Sequence, residues 1–168
     1  IFDLTTEIEI RPEAQDTIQH LAFGKATAYN STFSPRYRAN DKATLTDGLR
    51  GDWSYSDGRW QGFIDSDIDV VIDLGERQTI QSVNATFMQD FLGWIWMPSE
   101  VEISVSDNNK DFSLLTVIKN DLPFEKGGFY LKDFGWQGKT NTRYIRYLAK
   151  SSGKRVGGWL FTDEIIVK

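Results

Sequence analysis

The stretch from Ala43 to Gly75 reads A-T-L-T-D-G-L-R-G-D-W-S-Y-S-D-G-R-W-Q-G-F-I-D-S-D-I-D-V-V-I-D-L-G. A first loop runs through Asp47-Gly48 and is rich in Gly, Asp and Trp. A second carries Asp57-Gly58, Trp60 and Phe63. Both Asp-Gly pairs are turn signals, because Asp and Gly tolerate positive φ. The run Val70-Val71-Ile72 is β-branched and too short for a helix. With Gly75 as its stop, it predicts a buried strand. Two elaborate loops feeding one core strand point to a binding surface carried on a β scaffold.

The same periodicity recurs downstream. Val83, Ala85 and Phe87 form the apolar face of a period-two strand over Ile80–Phe87. Val101, Ile103 and Val105 do so for the next, which Ser106-Asp107-Asn108-Asn109 turns. Thr27–Asn30, Phe112–Ile118, Phe129–Leu131, Tyr144–Ala149 and Glu164–Val167 complete a series of short strands spaced by Gly, Asp and Asn turns. The fold class this predicts is all-β, an antiparallel β-sandwich. A chain of 168 residues without repeats or low-complexity linkers is one domain with its own core. The chain begins mid-stride, so residues 1–18 are expected to be a junction from a preceding domain, with an edge strand over Glu7–Ile10. Residues 19–168 are the domain proper.

Net charge is −5 and no basic stretch is concentrated enough for a phosphate backbone or an anionic membrane, so neither nucleic acid nor membrane is an expected partner. The absence of cysteine removes disulfides, thiolate catalysis and zinc on sulfur. It also favours a bacterial over an animal extracellular module. No apolar run of membrane-spanning length is present, and any export signal is expected to lie outside this stretch of chain.

Catalysis has little to stand on. The single histidine, His20, sits beside the junction, with no G-x-S-x-G serine elbow. The reading for it is a solvated surface residue. Paired carboxylates could in principle hydrolyse a glycoside, but short loops on a sandwich leave little room for a deep cleft. Asp65-x-Asp67-x-Asp69 with Glu76 at the twelfth place imitates an EF-hand, yet its sixth position is Val70 rather than glycine.

The string L-T-D-G…D-G-R-W-Q-G-F…V-I-D-L-G, the opening Leu21-Ala22-Phe23-Gly24-Lys25, and the run from Val101 to Asp107 together resemble the discoidin domain. This is the coagulation factor V and VIII type C family, in the form attached to bacterial β-N-acetylhexosaminidases and chitobiases. The resemblance covers about Leu21 to Lys168. It implies a discoidin, galactose-binding-like jelly roll that acts as a non-catalytic carbohydrate-binding module of a secreted, periplasmic or cell-surface glycosidase. The glycan could contain N-acetylglucosamine, and a catalytic domain would be the partner in cis.

Pyranose rings offer apolar C–H faces that stack on aromatic rings, while polar side chains bind the hydroxyls. The candidate platforms are the loop aromatics Trp53, Tyr55, Trp94 and Trp159. Their polar partners are Asp57, Arg59, Gln89 and Asp90. Family members that bind galactose often carry an Arg and an Asn after the strand ending at Phe87; Gln89 and Asp90 stand there instead. Trp60 and Trp96 are read as packing. The oxygen-rich loop Asp47–Asp52 can curl around a calcium ion. The resemblance implies a structural calcium held by Ala43, Thr44, Asp47 and Asp52, with Glu164 closing the shell. The alternative function is a protein-interaction or structural accessory domain without a sugar site, and the third is a hydrolase in its own right.

Overall fold

The computed structural model describes residues 17–168, so the edge strand expected over Glu7–Ile10 lies outside the described residues. Seven strands follow in chain order: β1 (Ala26–Tyr29), β2 (Gln61–Ile64), β3 (Ile68–Asp90), β4 (Glu100–Ser106), β5 (Ser113–Lys119), β6 (Phe129–Lys150) and β7 (Trp159–Val167). All pairings are antiparallel, in the order β2-β7-β3-β6-β4-β5, with β1 on β3. The all-β expectation holds.

One continuous sheet makes both layers because β3 and β6 are long enough to cross from one to the other. The first half of β3 pairs with β1 and with Tyr144–Ala149 of β6, which in turn pairs with β4. The second half pairs with Phe129–Gln137 of β6 and with β7. Register shifts between Asp73 and Gln78, and between Ile80 and Ser82, mark the crossing. Gly75 sits there at φ +87. The sequence signal read as a strand stop is therefore a bulge, since a residue at positive φ kinks a ladder without ending it.

The core lies between the two halves. Val70, Ile72, Val101, Ile103 and Tyr147 face it from one layer, and Val83, Phe87, Phe134, Leu160 and Ile165 from the other. The expected inward faces on β3 and β4 are all buried. Phe87 stacks on Tyr147 with centroids 6.3 Å apart, and the Tyr147 hydroxyl donates to the Phe134 carbonyl at 2.8 Å. A buried phenol without that acceptor would cost the fold about 1–3 kcal/mol. At the rim, a second cluster gathers Trp60, Met88, Ile95 and Phe161, flanked by Tyr37, Tyr55, Phe129 and Trp159. Strand β2 escaped the sequence reading: it is four residues long and follows an aromatic turn, so it looks like more loop.

Candidate functional site

The loops before β2 and after β3 are fixed by carboxylates rather than by apolar packing alone. Asp57 accepts the amides of Asp52 (2.6 Å) and Arg59 (2.8 Å), and so closes the 52–60 turn on itself. Trp60 is buried as expected; its indole N–H donates to the Asp52 carbonyl at 2.7 Å. Gly51 lies so close beneath that indole that a Cβ would fall 2.1 Å from its nitrogen. Asp163 accepts the Gly51 amide at 2.8 Å, and the Arg59 guanidinium donates to the Arg50 carbonyl at 3.3 Å.

The predicted rings are arranged around the second cluster, Tyr55 and Trp159 as part of it and Trp53 and Trp94 through its members Phe129 and Ile95. Trp53 leans on Phe129, centroids 5.4 Å apart, and Phe129 is the ladder partner of Asp90. Asp90 bonds through its backbone to Ile95 in both directions, and the Trp159 amide donates to the Trp94 carbonyl at 2.8 Å. Trp159 meets Tyr37 edge-on at 5.1 Å, and Tyr37 meets Tyr55 at 5.6 Å. Tyr37 was not among the predicted site residues. Its place in a loop beside Pro35 was visible, but nothing local said which way it faced.

The individual side chains differ in how free they are. Trp53 is 41 % exposed. Trp94 is equally exposed, but the Arg155 guanidinium lies 3.9 Å from its ring centroid, and Gly157 packs so close that a Cβ would fall 3.1 Å from the ring. Trp94 also holds a left-handed conformation, φ 59 and ψ 35, as the C-cap of the short 3-10 turn Phe91–Gly93. Tyr55 and Trp159 are half-buried edges of the aromatic cluster, and Trp159 is the first residue of β7 rather than a loop residue. Gln89 does not face solvent. It is buried in β3, where its amide donates to the Pro123 carbonyl at 3.0 Å and its oxygen accepts the Met97 amide at 3.3 Å. Asp90 caps the Phe91–Gly93 turn through Gly93. Trp96 is packing, as read from the sequence, and stacks on Phe124 at 4.4 Å.

The second assembly sits beneath the Asp47–Asp52 loop. His20 contradicts its sequence reading: its side chain is wholly buried and its Nε2 lies 2.7 Å from Glu164 Oε1. His20 Nδ1 accepts the amides of Ala22 and Val167, both at 3.3 Å. A ring whose Nδ1 is an acceptor carries its proton on Nε2, so a neutral imidazole donates to Glu164. Burial supports this by lowering the His20 pKa to about 4. The Gly48 amide donates to the same oxygen at 2.9 Å. Glu164 Oε2 is buried and has no hydrogen-bond partner among the described residues. The Asp47 carboxyl lies beside Glu164 and accepts the Leu49 amide at 2.9 Å. Burial raises Asp47, and it pushes Glu164 up to about 10, with the Asp47 charge adding to the effect.

Of the five residues expected around calcium, Asp47 and Glu164 are together. Asp52 is turned outward and accepts its neighbour Trp53's amide. The Thr44 hydroxyl is spent within its own loop, donating to the Asp41 carbonyl at 2.8 Å, and the Ala43 side chain is exposed. Among the described residues no three His, Cys, Asp or Glu side chains converge on a metal position. A cation here would therefore rest on two carboxylates and backbone carbonyls. The unpartnered Oε2 beside a second carboxyl fits such an ion, because two buried carboxylates in contact need a proton or a cation between them.

No family model matches the chain, and no curated protein does. Solved structures do. A chitosan-binding module from a chitosanase/glucanase of Paenibacillus sp. IK-5 aligns at TM-score 0.59 and 16% identity, over 90% of this chain and 99% of that one. A Streptococcus pneumoniae fucose-binding module gives 0.58 and 18%, over 89% and 94%. The lectin domain of lectinolysin, solved with Lewis B antigen, gives 0.59 and 14%, over 91% and 98%. The chain shares their fold. That fold is the discoidin-like sandwich the sequence pointed to, and its neighbours are carbohydrate-binding modules. Among the described residues, no helix is long and apolar enough to cross a membrane.

Proposed function

We propose that this chain is a non-catalytic carbohydrate-binding module that holds a glycosidase on its glycan. The observation that carries the reading is the arrangement of Trp53, Tyr55, Tyr37, Trp94 and Trp159 around one aromatic cluster, from segments far apart in sequence. Loops on a rigid sheet that place several rings together suit the flat apolar faces of sugars. Trp53 is the open platform, and Arg155 carries a guanidinium at the Trp94 ring. The fold shared with sugar-binding modules supports the same reading. Affinity is expected near ~0.1–1 mM, since one or two rings in an open site bury little of a polar ligand. The gain to a neighbouring catalytic domain is raised local substrate concentration.

The fuller form of the proposal is the sequence resemblance itself: a module of a bacterial, exported β-N-acetylhexosaminidase or chitobiase, with N-acetylglucosamine-containing glycan as ligand. A calcium ion belongs to it. Asp47 and Glu164 Oε2 would hold the ion, Ala43 and Thr44 could add only carbonyls, and the metal would pin the Ala43–Asp52 loop without taking part in chemistry. Screening the protein on a glycan array, then repeating with Trp53→Ala, tests the sugar reading; silence on the array, or binding untouched by the substitution, refutes it. A second reading is a protein-interaction or accessory domain of the same enzyme. It is favoured by Leu92 and Val156, 89 % and 87 % exposed beside Trp94 and Arg155. Turnover of a chromogenic N-acetylglucosaminide by the chain alone would overturn both.

A further inference from the structure

Trp94 and Trp96 point into different surroundings. Trp94 meets Arg155, whereas Trp96 lies against Phe124 and donates its indole N–H to the Phe124 carbonyl at 3.1 Å. On the Trp96 side a cleft of about 310 Å³ opens between the turn after β5 and the Ser151–Gly158 loop. Its walls include Trp96, Leu122, Pro123, Phe124, Ser152 and Lys154. That volume is at the small end of ligand sites, room for one sugar ring rather than a chain.

The polar groups of this cleft are unevenly available. The Asn120 side chain is closed on Leu122, donating to its carbonyl at 2.8 Å and accepting its amide at 3.0 Å. The Gln89 amide is spent on Pro123 and Lys126. The Asp121 carboxylate is paired with Lys132. Ser99 donates to the Lys150 carbonyl at 3.3 Å. Lys154 is different. Its ammonium lies 5.2 Å from the Phe124 ring centroid, and it forms no salt bridge with a carboxylate among the described residues. A neutral sugar needs several partners for its hydroxyls, and here they are mostly engaged. An anionic sugar needs one cation and an apolar wall, and both are present.

We infer that this cleft is a second saccharide subsite, separate from the Trp53 rim, and that it takes a carboxylate-bearing sugar with Lys154 as the group that binds the carboxylate. The inference rests on the carbohydrate-binding reading above and adds charge selectivity to it. Lys154 and Arg155 are adjacent and diverge, the first to the Phe124 ring and the second to the Trp94 ring, so a single loop would serve both sites.

The test is an NMR titration of the whole 168-residue protein with sialyllactose and with lactose. The expected result is that sialyllactose shifts the Trp96 indole N–H and the Ser152 and Lys154 amides, and lactose does not. Lys154→Gln, at an exposed position that does not threaten folding, should weaken sialyllactose about fivefold, the scale of one exposed ion pair. Raising salt should weaken it likewise, and Trp53→Ala should leave these shifts in place. Identical behaviour of the two sugars, an inert Lys154→Gln, or loss in Trp53→Ala would overturn the inference. If neutral glycans still bind in that event, the carbohydrate-binding reading survives; if no sugar of either kind binds, both fall.

Discussion

His20 and Glu164 lie 144 residues apart in sequence and 2.7 Å apart in space. The contact ties the segment entering the domain to the last strand, and the Gly48 amide on the same oxygen adds the loop between them. His20→Ala should therefore leave two backbone amides without their acceptor and Glu164 with one donor fewer. A loss of about 2 kcal/mol is expected, a fall in Tm of roughly 4–8 °C for a chain of this size. Differential scanning calorimetry checks it; an unchanged Tm would mean the buried geometry is wrong.

The Asp47–Glu164 pair separates a metal from a proton. If calcium sits there, millimolar calcium should raise Tm relative to chelator, by about 2.7 kcal/mol of stabilisation at a hundredfold excess over Kd. Asp47→Asn should erase the difference. Equal Tm values in calcium and chelator would assign the pair to a shared proton instead.

Exposed and buried tryptophans should part company. Trp53→Ala is expected to abolish measurable glycan binding while shifting Tm by no more than a degree or two, because the ring is 41 % exposed. Trp60→Ala removes a buried ring and an indole hydrogen bond, and should cost about 3–5 kcal/mol. Paired glycan pull-down and thermal melts of the two variants decide the matter. A Trp53→Ala protein that binds as well as its parent would remove the platform.

Gly51→Ala should be as harmful as a core mutation although it adds one methyl group. The new Cβ would meet the Trp60 indole at 2.1 Å, and the indole cannot withdraw without breaking its bond to the Asp52 carbonyl. Overpacking of this kind costs about 1–3 kcal/mol. Urea titration reads it, and a neutral result would show the loop free to shift.

Asp73 should contribute to the acid limb of stability. Hydrogen bonds from Arg143 hold its carboxyl below the usual range. A group depressed in the folded state stabilises above its unfolded pKa of about 3.9 and loses that contribution as pH falls through the lower folded value. The side chains are about a third exposed, so the effect is a few tenths of a kcal/mol. Melts below about pH 4 should therefore show Asp73→Asn and parent protein converging, having differed at neutral pH.

Much of this architecture was legible. Alternating Val, Ile and Phe placed the inward faces of β3 and β4, because a half-buried strand leaves a period of two. Paired Asp-Gly turns placed the rim loops. What stayed hidden was direction over distance. Gln89 reads like a surface amide until Pro123, Lys126 and Met97 fold around it. His20 reads like a solvated junction residue until β7 brings Glu164 beneath it. Trp94 reads like a bare platform because nothing near it in sequence announces that Arg155 will lie across its face. Charged and aromatic side chains meet their partners through topology, and local pattern carries no record of that.

The passage of β3 and β6 through both layers has a consequence for how the molecule comes apart. Neither half owns a complete set of strands, so neither can open while the other stays intact. Amide protons on the two faces should exchange with solvent in a single cooperative event, and the aromatic rim should persist until that event rather than fray ahead of it.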